Sequence, residues 1–136
     1  MTDYTHYKML IDGQWVPASD GAKFNSLNPT TGRVWATVPE ATAEDVDRAV
    51  RAADRAFNQG PWPAMSASER GHCLRRLAML LAKRSDELGA IETTDTGKML
   101  KETRWQAKYI SEFFHFFAGC ADKIHGETLP IDKPNL

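Results

Sequence analysis

Between Leu100 and Lys123 the chain carries two apolar rows on one helical pitch, and any fold it adopts must deal with both. Ala107, Ile110, Phe114, Phe117, Ala121 and Ile124 recur at steps of three and four, the spacing of one buried seam. Trp105, Tyr109, Phe113, Phe116 and Cys120 make a second row on the adjoining side. A surface helix needs one apolar stripe, whereas a helix apolar on two sides is covered from two directions. The segment therefore predicts a long central helix that packs on other helices and demands further cover besides.

Two helical patterns precede it. From Thr42, whose hydroxyl and the Asp45 carboxylate have the spacing of a capping box, Val46, Ala49, Val50, Ala53 and Phe57 form one apolar stripe. Gly60-Pro61-Trp62-Pro63 ends that helix, because proline disfavours helical geometry in the residue before it. Ser66-Ala67-Ser68-Glu69 is a second capping box, and Leu74, Leu77, Leu80, Leu81, Leu88 and Ile91 supply the expected buried face. Ser85 is placed to restart or kink this helix, and Gly97 stands where a left-handed C-terminal cap belongs.

The first forty residues read as strands. Tyr7–Ile11 and Gln14–Val16 flank Asp12-Gly13, the dipeptide that most readily adopts the positive φ angles of a type I′ hairpin. Lys23–Leu27 and Arg33–Val38 flank Asn28-Pro29-Thr30-Thr31-Gly32, a turn built on Pro and Gly. Two β-hairpins and three helices follow one another in a chain with neither repeats nor low-complexity segments.

Composition closes off several functions. Seventeen Lys and Arg against eighteen Asp and Glu leave a net charge of −1, with the two signs interleaved, which argues against a nucleic-acid footprint. No apolar run approaches the roughly 20 residues of a membrane span. The N-terminus lacks the basic and apolar regions of a signal peptide, so a cytoplasmic protein is expected. Cys73 and Cys120 both fall in helical patterns and read as small packed hydrophobes rather than a disulfide.

Motifs for chemistry are sparse. The nine glycines are scattered, with neither G-x-G-x-x-G nor a P-loop. His6, His72, His115 and His125 have no cysteine or carboxylate at ligand spacing. His72 and Cys73 are helix neighbours pointing about 100° apart, so they cannot pair as base and nucleophile. Tryptophans 15, 35, 62 and 105 read as core or interface residues. In Glu92-Thr93-Thr94-Asp95-Thr96-Gly97-Lys98, Asp95 admits two readings. It is either part of a hard-cation site with backbone carbonyls or an acid bonded to local backbone and Lys98.

In order and spacing these phrases resemble the N-terminal region of the NAD(P)-dependent aldehyde dehydrogenase superfamily. The matching pieces are Ile11-Asp12-Gly13-Gln14-Trp15-Val16, Asn28-Pro29-Thr30-Thr31-Gly32 and Ala43 to Val50. Glu69-Arg70, Leu74 to Ala78, Glu92 to Lys98 and Ala118 to Glu127 follow. The resemblance implies a Rossmann-like parent fold with residues 1–136 as an incomplete N-terminal part of the cofactor-binding domain. The parent fold it implies is α/β, and residues 127–136 would open the segment toward an oligomerisation region, with the start of a strand at Thr128–Ile131. It implies oxidation of an aldehyde to a carboxylic acid, with thiolate attack on the carbonyl, hydride transfer to NAD or NADP and hydrolysis of the thioester by activated water. The catalytic and cofactor-binding residues of the family lie downstream, so none is assigned within this sequence.

What the resemblance does carry over is a cation site formed by backbone oxygens of Ser26 and Leu27 and the carboxylate of Asp95, suited to a monovalent cation. The expected partners are an aldehyde substrate, the remainder of the same polypeptide and further copies in a dimer or tetramer, with no nucleic acid and no membrane. The 136-residue chain alone is expected to be inactive. The alternative is a standalone helical interaction module that associates with a full-length relative through its uncovered helix.

Overall fold

A computed structural model describes residues 5–127. The strand expected at Thr128–Ile131, with all of segment 127–136 except Glu127, lies outside the described residues. The elements are five strands and four α-helices. They are β1 (Thr5–His6), β2 (Met9–Ile11), β3 (Gln14–Val16), β4 (Lys23–Asn28), β5 (Arg33–Pro39), α1 (Ala43–Asn58), α2 (Ala67–Lys83), α3 (Ser85–Thr96) and α4 (Leu100–Cys120). A short 3-10 turn at Trp62–Ala64 follows α1, where Pro61 and Pro63 block α-helical continuation.

Both hairpins form. Asp12 (φ 53°) and Gly13 (φ 74°) sit between β2 and β3 with the two positive angles of a type I′ turn, and Ile11 pairs with Gln14 across it. In the second, Asn28 does the turning. Its Oδ1 accepts from the Thr30 N–H at 2.9 Å and its carbonyl from the Gly32 N–H at 2.8 Å. The sheet has an extra strand that periodicity did not reveal. Thr5–His6 runs parallel beside β5, giving the order β1-β5-β4, while Tyr7 and Lys8 lie outside any strand. A two-residue strand is too short to show alternation, so its pairing was not legible.

The second expected helix is two helices. Arg84 leaves helical geometry (φ −103°, ψ 14°) and Ser85 Oγ donates to the Ala82 carbonyl at 3.0 Å, so the chain restarts as α3 at the residue the sequence marked. α2 and α3 both pack on α4, as expected for two short helices covering one side of a long one.

The contact surface differs from the expected seam. The buried positions of α4 are Thr103, Ala107, Ser111 and Ala118, with Phe114 and Ala121 half-buried. Ile110, Phe117 and Ile124, assigned to the seam, are exposed, Phe117 at 58%. On α2 and α3 the buried positions are Gly71, Ala78 and Gly89, while Leu77, Leu80 and Ile91 are exposed. Small residues let backbones approach closely. A Cβ on Gly89 would stand 2.7 Å from the Arg104 Cα, and one on Gly71 would stand 2.8 Å from the Ala118 carbonyl oxygen. The helices meet most closely through small residues, while Leu74, Leu81, Leu88 and Phe114 are half-buried and the other large side chains named here are exposed.

α1 also departs from expectation. Its stripe is uncovered, with Val50 61% and Phe57 66% exposed, and its buried residues are Asp45 and Ala52. Asp45 anchors it. One carboxylate oxygen, Oδ2, accepts from the backbone N–H groups of Ser19 and Thr42 (3.0 Å each) and from both their hydroxyls. Arg48 Nη2 lies 2.7 Å from the other oxygen. The Ser19 N–H, then the Thr42 N–H, hold this carboxyl far below the usual carboxylate range against the opposing effect of burial. Among the described residues no helix is long and apolar enough to cross a membrane.

Candidate cation site

Ser26 and Asp95, 69 positions apart in sequence, meet where the second hairpin touches the end of α3. Two local devices bring them together. On the sheet, the register of β4 against β5 slips between Ser26 and Leu27. Ser26 pairs with Ala36 and Leu27 with Val34, which leaves Trp35 as the extra residue of a β-bulge. A bulge interrupts the ladder and re-aims the side chains beside it. On the helix, Gly97 takes the left-handed conformation (φ 74°) and its N–H bonds the Thr93 carbonyl at 2.9 Å, ending α3. A Cβ at Gly97 would stand 2.9 Å from Pro29 Cγ, so the turn of the hairpin rests on this cap.

At the junction the Ser26 hydroxyl donates to Asp95 Oδ1 at 2.5 Å, and Trp35 Nε1 donates to Ser26 Oγ at 3.0 Å. Lys98 does not pair with Asp95. Its ammonium lies 2.7 Å from Glu92 Oε1. Asp95 stands in the last turn of α3, which contains no basic residue. That end of a helix carries partial negative charge and favours cations, so a carboxylate there is placed against the helix field. The threonines around it are spent locally. Thr94 and Thr96 hydroxyls donate to the Ala90 and Glu92 carbonyls, and Thr93 shares a 2.8 Å hydrogen bond with the buried Thr103 of α4.

The structure thus puts Asp95 against Ser26, with Leu27 across the register slip. All the oxygens concerned are hard donors, the kind that alkali and alkaline-earth cations prefer over softer metals. Among the described residues no three His, Cys, Asp or Glu side chains converge as a transition-metal site would need. Trp35 was missed as part of this site. Its only sequence signal was a tryptophan in a strand, and the bulge that turns it toward Ser26 is not visible in the alternation pattern.

Among the described residues no second site assembles. Cys73 and Cys120 are half-buried thiols, and the Cys73 sulfur has the Arg76 guanidinium at 3.6 Å rather than an imidazole. Glycines 13, 21, 32 and 97 adopt positive φ in turns and a helix cap, and none belongs to a phosphate-binding loop. On the outer side of α4, Trp105 stacks on Tyr109 (4.9 Å between centroids), and Tyr109 meets Phe113 edge-on at 5.3 Å. Tyr109, Glu112, Phe113, Phe116 and Phe117 line an open apolar hollow of about 400 Å³.

The model of the aldehyde dehydrogenase family matches residues 15–136. The chain is 45% identical over 131 residues to the (Z)-2-((N-methylformamido)methylene)-5-hydroxybutyrolactone dehydrogenase of Acinetobacter baylyi, covering 96% of this chain and 26% of that protein. Among solved structures it superposes on a putative aldehyde dehydrogenase from Burkholderia cenocepacia with a TM-score of 0.86 and 45% identity, covering 92% of this chain and 26% of that one. It superposes likewise on an NAD-dependent aldehyde dehydrogenase from Sinorhizobium meliloti, with a TM-score of 0.87, 36% identity, and coverage of 92% and 25%. The chain spans about a quarter of the length of each of these proteins. Its sequence and its fold agree, and the chain belongs to the aldehyde dehydrogenase family.

Proposed function

We propose that residues 1–136 are the N-terminal part of the cofactor-binding domain of an oxidoreductase that converts an aldehyde to a carboxylic acid with NAD(P)+. In this reading residues 127–136 lead toward an oligomerisation region, and the complete protein is a cytoplasmic homo-oligomer, a dimer or tetramer. The observation that carries it is the family match running from residue 15 to residue 136.

NAD(P)+ would accept the hydride. No residue described here fits the role of holding its phosphates, so no step of the transfer is assigned to this chain. The same holds for the nucleophile, since among the described residues neither thiol is hydrogen-bonded to a base. What this stretch contributes is a scaffold. The α2–α3–α4 unit presents the aromatic side of α4 to the rest of the protein, and the sheet is fixed to α3 through Ser26 and Asp95.

A monovalent cation belongs at that junction in our reading, held by the Asp95 carboxylate and the backbone oxygens of Ser26 and Leu27, with a further ligand supplied from elsewhere. Supporting it are the all-oxygen donor set, the bulge that interrupts the ladder, and a carboxylate at the helix end that favours a cation. The cation would neutralise Asp95 and stiffen the joint between hairpin and helix.

The test is to purify the polypeptide at the length its source makes and follow formation of reduced nicotinamide with aliphatic and aromatic aldehydes. Aldehyde-dependent reduction by that species, with none from residues 1–136 alone, is the expected result. A native-length protein that reduces neither cofactor with any aldehyde would overturn the assignment. Light scattering on the same sample reads the assembly.

A further inference from the structure

We propose that Trp35 is a positioning residue for the Asp95 carboxylate, acting through the Ser26 hydroxyl. In part this rests on the cation reading above. Indole has one polar hydrogen and can only donate it, whereas a serine hydroxyl donates one hydrogen and accepts two. With Trp35 Nε1 at 3.0 Å, Ser26 Oγ is the acceptor, so its own hydrogen is free for Asp95 Oδ1 at 2.5 Å. A carboxylate accepts only, so the direction of all three groups is fixed: indole to hydroxyl to carboxylate.

The indole is itself held. Tyr7 packs edge-on against it at 5.9 Å and 73°, and the Tyr7 N–H bonds the Thr37 carbonyl of β5 at 2.9 Å. The bulge matters here because Trp35 is the residue it leaves out of register. Asp95 has few restraints of its own. It is exposed, sits on the last helical turn, and its nearest lysine is paired elsewhere. Without the relay the carboxylate would be free to turn into solvent. With it, Oδ1 is fixed on the Ser26 hydroxyl, next to the register slip between Ser26 and Leu27. Outer partners of this kind orient the groups that touch a metal.

The experiment uses the native-length polypeptide and its unfolding midpoint as a function of KCl, against choline chloride at equal ionic strength. Trp35→Phe keeps the ring and removes the N–H. We expect it to raise the half-saturating K+ concentration about 10-fold, the scale of losing an outer-shell partner. Ser26→Ala reaches the same relay from the other side and should match it, with the double variant no worse than either single one. An unchanged half-saturation in Trp35→Phe, or effects that multiply in the double variant, would overturn the proposal. If K+ proves no better than choline, the cation reading fails by itself. Trp35 is then judged by Trp35→Phe combined with Asp95→Asn. Midpoint shifts that are not additive uphold the relay, and additive ones end it.

Discussion

At Gly89 a side chain would have to share space with the Arg104 backbone, 2.7 Å from both Cα and N. Backbone cannot rotate aside as a side chain can, so Gly89→Ala should cost about 1–3 kcal/mol, read from equilibrium urea unfolding. Gly119 is the control, being helical with nothing within 4 Å of a Cβ. There alanine should stabilise by about 0.5–1 kcal/mol, because it restricts the unfolded chain and favours helix. A Gly89→Ala variant as stable as the parent would mean that α3 and α4 slide apart at no cost. At this scale the sequence is least legible. Gly89 and Gly119 are alike as letters, both within apolar helical patterns, and only the crossing of α3 over α4 separates them. Asp45 was legible as a capping residue from its distance to Thr42, but its bonds to Ser19 were not, since that residue arrives from a loop with no periodic signal.

Helix starts are where sequence and structure agree most closely, because a cap is a contact between residues three apart and needs no tertiary context. Thr42 and Ser66 each accept from the N3 backbone N–H, and Asp45 and Glu69 reach back to the cap N–H. Both carboxyls titrate below their ordinary values. For Glu69 the Ser66 backbone N–H, then the Ser66 hydroxyl, are the causes. A carboxyl whose folded pKa is depressed stabilises the fold above its unfolded value, about 4 for these residues, and loses that contribution as pH falls through the folded value. Helical circular dichroism and the unfolding midpoint should therefore hold from neutrality to about pH 5 and decline below about pH 4. The decline should be shallower in Asp45→Asn, which has no charge there to lose. A midpoint that fell equally in parent and variant would remove Asp45 from the account. Separately, Ser66→Ala should cost about 1 kcal/mol through the lost cap at α2.

For the molecule as a whole, the outer side of α4 decides behaviour. Trp105, Tyr109, Phe113, Phe116 and Phe117 are all exposed, a contiguous apolar surface of the kind soluble monomers seldom carry. Residues 1–136 alone should bind a hydrophobic dye strongly, and Phe113→Ser with Phe116→Ser should lower that signal with no loss of helicity. Weak dye binding by the parent would show the face covered in solution. Phe114 and Phe117 should also part company. In residues 1–136 Phe117→Ala should cost under about 1 kcal/mol, as an exposed site does, and Phe114→Ala more, by urea unfolding. The two apolar rows of this helix were plain in the sequence; which of them meets α2 and α3 was not. Periodicity reports that a face is apolar without saying what covers it, and here Ala107 of the first row took the contact together with Thr103, Ser111 and Ala118, which belong to neither row. The Asp45 anchorage has one more consequence, for how the molecule opens. α1 is tied down through a carboxylate and little buried apolar surface, while α2, α3 and α4 interlock through backbone approaches. Its amide hydrogens should therefore trade for deuterium ahead of those in α4, as an opening separate from global unfolding.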